Sequence, residues 1–399
     1  MDRKGSSRKR KATSTSAAAS RQPQPDPATA STSGVSLSVP SSSVVNPQVR
    51  ITTMPFASYV VWNNKGGTGK TTLTFQLAAE YAKRHHGKTI VVIDMCPQAN
   101  VSSALLAKSN SPLNPGPVDL EGKRYVKTVC GYLLAKLERV STEPGKTKLM
   151  NFLLKVNSTN KNIPTNVFLM CGDLYLEELS RRLEQERQLM AIGDNSPWKR
   201  VTLFIKDYVE RLSQKGDFVF HRYKSFLFHL HRNGHKCCRR PNSTVHTADD
   251  FSLSAIKAML YLVYGIQTDE NDHRRSLVEH QFYQLAEAHQ VNRPQLHLFV
   301  NNRVTYHTET AAAFVGIADE VKQLLNTVYE KESGIFSQEQ DHLCPDLHDF
   351  HSAGVISLHT GIPISKLKQG KYRVFDKEVQ VQKNINIYKA DIGKIIEML

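Results

Sequence analysis

Asn64-Lys65-Gly66-Gly67-Thr68-Gly69-Lys70-Thr71-Thr72 lies between two periodic segments. Before it, Ser58 to Trp62 is a β-branched and aromatic run. After it, Thr71 to Arg84 carries Leu73, Leu77, Ala78 and Tyr81 at helical spacing. Lys88 to Asp94 then contains Ile90-Val91-Val92-Ile93, a continuous apolar run of the kind buried on both faces of a sheet. Strand, glycine-rich loop, helix and strand within about 35 residues make a βαβ unit. The expected fold class is therefore α/β: a doubly wound, mostly parallel sheet with helices on both faces.

The loop points to phosphate binding. Glycines let backbone N–H groups converge on phosphate oxygens, and the following helix N-terminus adds partial positive charge. Lys70 would reach the β- and γ-phosphates, and the Thr71 hydroxyl would ligate Mg²⁺. Gly66, Gly67, Thr68, Gly69 and Thr72 complete the nucleotide-binding set. A glycine-rich turn with no ligand is the plainer alternative; the Gly-Lys-Thr ending in a strand–loop–helix context argues against it.

A second lysine, Lys65, precedes the glycine pair, and K-G-G-T-G-K-T-T resembles the deviant Walker A motif of the ParA/MinD family of P-loop ATPases. In that family the extra lysine crosses a nucleotide-sandwich dimer to touch the partner's ATP, so the resemblance implies a catalytic role for Lys65 with Lys70. Asp94-Met95-Cys96-Pro97-Gln98-Ala99-Asn100 looks like the family's D-x-D-P-Q-x-N switch, and its P-Q-A-N half is similar to the partitioning branch. Asp94 is thereby a candidate Mg²⁺ residue. Phe299 to Val304 resembles the strand-end N-R found near the base, with Asn302 at the matching position. Gly361-Ile362-Pro363 resembles the late G-x-P. The likeness covers most of residues 57–399. It implies ATP and Mg²⁺ as cofactors, a homodimer in the ATP state, nonspecific DNA as a partner, and a partner protein that stimulates hydrolysis.

Two departures bear on chemistry. Cys96 stands where the family has the switch aspartate that helps position the attacking water, and a thiol is a weak acceptor, so hydrolysis should be slow or another group must do the positioning; a subfamily substitution is the favoured reading of Cys96 over a redox sensor. Asp217 to Phe220 begins like the strand that carries the second metal-associated aspartate. It is followed by His221-Arg222-Tyr223-Lys224-Ser225 and no acid as far as His246; six Lys/Arg and five His occupy 221–246. His229, His231, His235, Cys237 and Cys238 are zinc-type residues at no standard spacing. Tyr223, Phe226 and Phe228 interleave with cations as in a nucleic-acid patch. The third reading is a frame shift: back-translated and read one base later, His221 to Arg240 permits I-D-T-N-P-S-F-S-I-Y-T-E-M-A-I-N-A-A-D-D, which resembles the family's second-aspartate motif. On that reading 221–246 is a frame-shifted segment, and the printed cations would sit badly in a buried strand. Thr247 to Ser252 resumes a family-like passage from strand to helix.

Further elements are expected at Val167–Cys171 (strand), Leu174–Met190 and Pro197–Leu212 (helices), Asp250–Tyr264 and Leu277–Gln290 (helices), Leu296–Val300 (strand) and Thr310–Glu330 (helix). Residues 1–55 form a Ser-, Pro- and Ala-rich segment expected to be disordered, and 56–399 form the ATPase domain. The tail opens with Arg3, Lys4, Arg8, Lys9, Arg10 and Lys11, so the expected location is nuclear or cytoplasmic, with an organelle transit peptide as the second reading.

The chain has 399 residues, and 52 Lys/Arg against 37 Asp/Glu give +15. The first 50 residues hold +6 and residues 221–246 another +6, leaving about +3 elsewhere, so the charge is weak support for a nucleic-acid partner. No apolar run is long enough to span a bilayer, no secretory leader is expected, and six cysteines are too few for a disulfide scaffold. Three function classes follow: an ATP-dependent dimeric switch that hydrolyses ATP weakly; a catalytically impaired or inactive nucleotide-binding protein; and a metal-cluster carrier, disfavoured because no C-x-x-C pair exists.

Overall fold

The computed structural model describes residues 57–63, 65–107, 127–138, 149–191, 196–212, 218–223, 243–247, 250–268, 282–304, 310–350 and 352–399, with backbone alone at 218, 221–223, 243–247, 250–251 and 310–314. The chain divides into residues 1–51 and 52–399, and every described residue belongs to the second unit. The expected tail and the candidate zinc residues His229 to Cys238 lie outside the described residues.

Ten strands are described: β1 Ala57–Trp62, β2 Ile90–Met95, β3 Leu154–Lys155, β4 Val167–Met170, β5 Phe218–Tyr223, β6 Ser243–Thr247, β7 Phe299–Val304, β8 Asp346–His348, β9 Gly370–Val374 and β10 Lys377–Val381. The first eight form one sheet in the order β3-β4-β2-β5-β1-β6-β7-β8. All its pairings are parallel except β3 with β4. β9 and β10 form a separate antiparallel hairpin.

Alternation along the strands divides the core between the two faces of the sheet. Tyr59, Val61, Ile90, Val92, Leu169, Phe220 and Val300 pack with helix α1 (Lys70–Arg84), α2 (Asn100–Leu105) and the C-terminal helix Ile385–Met398. Val60, Trp62, Val91, Ile93, Met170, Val219 and Phe299 pack on the other face with α3 (Val129–Leu137) and the helices between Leu176 and Tyr264. Fully burying each such aliphatic side chain contributes about 1.5–3 kcal/mol, which explains why β1 and β2 lack the polar alternation of an exposed sheet. Both faces are covered, so the sheet is doubly wound as expected.

The differences from the sequence reading are local. The expected helix Pro197–Leu212 is two, Pro197–Thr202 and Phe204–Leu212, with a break at Leu203. Asp250–Tyr264 ends in a wider π turn over Leu260–Tyr264, closed by Gly265 at φ 76. The strand expected at Leu296–Val300 runs instead from Phe299 to Val304, and Leu296 makes only an isolated bridge to Phe336. Strand β5 begins as expected and continues through His221, Arg222 and Tyr223, paired on both sides. Backbone hydrogen bonding to β2 and β1 thus carries the strand three residues into the cationic segment. Arg222 stands in register with Asp94 on β2 and Val61 on β1.

Candidate nucleotide site

The loop leaves the carboxyl end of β1, near the middle of a parallel sheet, where ligands of open α/β sheets gather. Asn63, almost fully buried, accepts the Lys65 N–H on Oδ1 at 2.8 Å, an Asx turn that starts the loop. Gly67 and Gly69 have φ of +76° and +88°, the left-handed region where a side chain costs about 1–2 kcal/mol. These two glycines lie just before α1, Gly69 at its N-cap.

Helix α1 begins without a side-chain cap and without an acid in its first turn. Its first backbone bond runs from Leu73 N–H to the Gly69 carbonyl at 2.9 Å. Thr71 and Thr72 sit half-buried in that turn. The arrangement leaves the helix N-terminus with the polarity that attracts an anion. Lys70 folds back into the loop: its Nζ donates to the Lys65 carbonyl at 2.6 Å and to Thr68 Oγ1 at 3.3 Å. Its ammonium is therefore held among loop atoms, in a position suited to phosphate.

Asn302 arrives from β7. Its Nδ2 donates to the Thr68 carbonyl at 3.0 Å, and it is 7% exposed. The structure thus brings Lys65, Thr68, Gly69, Lys70 and Asn302 together.

Asp94 is the penultimate residue of β2 and is fully buried. Its Oδ2 accepts from the Ser102 backbone N–H at 3.0 Å and from Ser102 Oγ at 2.8 Å. Ser102 Oγ in turn accepts the Gly172 N–H at 2.9 Å. Cys96 is also fully buried, at the start of a turn in which Ala99 N–H donates to the Cys96 carbonyl at 2.9 Å. Ala99 is in the left-handed region at φ 49° and leads into α2. Gly172 lies against this turn so closely that a Cβ there would be 2.6 Å from the Cys96 carbonyl oxygen. The Gly-x-Pro segment lies elsewhere, as a brace: Asn160 Nδ2 bonds both the Leu105 carbonyl and the Gly361 carbonyl, and Gln76 joins α1 to Ser357 and Ile364.

Sequence reasoning passed over Asn63, Ser102 and Gly172. Asn63 had a local signal, an Asn two residues before a loop amide; Gly172 had a weaker one, a glycine just after a strand. Ser102 had none, because its partner Asp94 is eight residues away. Among the described residues, no group of three or more His, Cys, Asp or Glu side chains is placed to hold a metal ion by itself. No described helix is long and apolar enough to cross a membrane.

Residues 58–219 match the profile of a family described as AAA domain. The ATP complex of an McdA variant from Cyanothece superposes on 86% of this chain and 96% of that one, with a TM-score of 0.51 at 13% identity. The ParA of pNOB8 bound to nonspecific DNA matches 73% of this chain and 79% of that one (TM-score 0.41, 13% identity). A chain of the MinC:MinD cell division protein complex of Aquifex aeolicus matches over 77% of this chain and 87% of that one (TM-score 0.40, 14% identity). The chain shares the fold of the McdA complex. At these identities the structural likeness is one of fold, and no curated protein matches the sequence significantly. The AAA-domain profile ends within β5, two residues before His221.

Proposed function

We propose that the protein binds ATP with Mg²⁺ at the loop Lys65–Thr72 and acts as an ATP-dependent dimeric switch of the partitioning type. The observation that carries this reading is the Lys70 ammonium held inside a loop with two positive-φ glycines at an uncapped helix N-terminus. Backbone amides of the loop would take the phosphates, Lys70 would exchange the Lys65 carbonyl for a phosphate oxygen, and Thr71 with Asp94 would hold the metal. The donor set fits, since a hydroxyl and a carboxylate are the hard oxygen ligands Mg²⁺ prefers. The bound metal would neutralise charge on the β- and γ-phosphates. Lys65 would reach the partner's nucleotide, DNA would be the track, and a partner protein would stimulate hydrolysis. The basic tail would direct import to the nucleus.

Titration of the purified protein with a fluorescent ATP analogue tests the reading. Wild type should bind, and Lys70→Ala should lose binding by roughly a hundredfold or more, the size of two charge-assisted hydrogen bonds. Wild-type affinity in Lys70→Ala would sink the assignment.

A second reading, nucleotide binding with impaired hydrolysis, is favoured by Cys96 at the switch and by Arg222 in register with Asp94 where the family motif carries an acid. Steady-state phosphate release with DNA present separates the two readings. Turnover that rises on adding DNA favours the switch, and binding without turnover favours the impaired form.

A further inference from the structure

The Asn302 contact has a geometry that base recognition does not require. Along β7, Asn301 and Asn302 pair in register with Asp346 and Leu347, and the next partner of β8 is Val304, so Arg303 is an extra residue at φ +68°. A bulge of this kind re-aims the neighbouring side chain. Here it accompanies an Asn302 amide that lies across the loop. A Cβ added to Gly69 would lie 2.0 Å from Asn302 Nδ2, so the amide occupies the space a side chain at 69 would need. Asn302 donates to the Thr68 carbonyl in a buried setting, where leaving that oxygen unpaired is costly. The peptide joining Thr68 to Gly69 is planar and trans, so its C=O and N–H point in opposite directions. Holding the oxygen toward β7 therefore directs the Gly69 N–H away from β7.

We infer that Asn302 is a positioning residue that latches the Thr68–Gly69 peptide and so orients the Gly69 amide as a phosphate donor. The inference rests on the nucleotide reading of the loop and assigns Asn302 to the phosphates instead of the base. The two roles give opposite results with a ligand that has no base. Inorganic tripolyphosphate, ATP and GTP are titrated into wild type, Asn302→Ala and Asn302→Ser, with circular dichroism melting as the control for folding. A latch predicts that Asn302→Ala loses about tenfold in affinity for tripolyphosphate and for ATP alike, the size of one buried hydrogen bond. The ratio of ATP to GTP affinity stays that of wild type, and Asn302→Ser, which keeps a short donor, falls between the two. Unchanged tripolyphosphate affinity together with an altered ATP/GTP ratio overturns the latch in favour of base reading.

Amide hydrogen exchange over residues 65–73 tests the latch without ligand. Asn302→Ala should exchange faster there than wild type, and identical exchange overturns the inference. If wild type bound no nucleotide, the nucleotide reading would fall, and exchange alone would decide whether the latch exists.

Discussion

Lys70 Nζ lies 2.6 Å from the carbonyl oxygen of Lys65, so the two lysines of the loop meet as side chain to backbone. This contact separates their roles experimentally. Replacing Lys65 by alanine keeps the carbonyl that Lys70 uses and keeps the Lys65 N–H bonded to Asn63. Lys65→Ala should therefore bind ATP within about threefold of wild type, since both of these backbone hydrogen bonds of the loop stay in place. It should fail to dimerise with a nonhydrolysable analogue. Sedimentation velocity gives the answer, and a wild-type dimer in Lys65→Ala would remove Lys65 from the interface.

The three loop glycines should differ in cost. Gly66→Ala meets nothing within 4 Å and its φ is not in the left-handed region. Gly67→Ala also has room but must hold φ +76°, costing about 1–2 kcal/mol. Gly69→Ala carries the same strain and collides with Asn302 as well. ATP affinity should fall in the order Gly66→Ala, Gly67→Ala, Gly69→Ala, and calorimetric titration of the three variants measures it. Equal losses would mean that the loop rearranges freely.

Ser102 joins Asp94 to Gly172, and each contact is buried. Ser102→Ala leaves Asp94 with a backbone donor but strands the Gly172 N–H, at a cost of about 1–3 kcal/mol. Gly172→Ala should cost as much through overlap with the Cys96 carbonyl, which is backbone and yields little. Urea unfolding midpoints should fall for both variants.

Acid should destabilise the domain in two stages. Burial, aided by Lys88 and Arg84, holds the His85 imidazole below its usual 6.5; burial, aided by Lys199, does the same to His289, which stacks on Trp198. A lowered histidine pKa means the folded state binds fewer protons than the unfolded chain, so stability is present above pH 6.5 and is lost as pH falls from there through the lowered value. Glu80 follows at lower pH. Burial pushes its carboxyl up, but the hydrogen bond with Ser365 and the charges of Arg84 and Lys83 outweigh it and hold it below 4.5. Its contribution is present above 4.5 and lost as pH falls through the depressed value. Urea midpoints between pH 7.5 and 4 should show both stages, and His289→Gln should flatten the first. A midpoint that rises between pH 7 and 5.5 would contradict the sign.

Burial pushes the Cys344 thiol up to about 12, with Lys322 opposing and Asp346 adding to it, and pushes Cys130 higher still, with Asp173 adding. At pH 8 both should resist iodoacetamide in the folded protein and label after unfolding, as peptide mapping would show.

The βαβ start, the loop and the class of sheet were legible from residues 58–94 alone. Those signals are local: an apolar run on β2, glycines where φ must be positive, and a lysine one residue into a helix. The extension of β5 through Arg222 was not legible, because its cations argue against a buried strand while the ladders to β1 and β2 depend on residues far away in sequence. Tertiary structure alone decided where Asn302 and Asp94 point. Asn302 is 234 residues from Thr68, and its amide meets the loop beside the bulge at Arg303. Asp94 meets Ser102 because α2 doubles back after the Cys96–Ala99 turn. Residue type and spacing supplied the phosphate-binding groups; packing across the sheet fixed which atoms they hold.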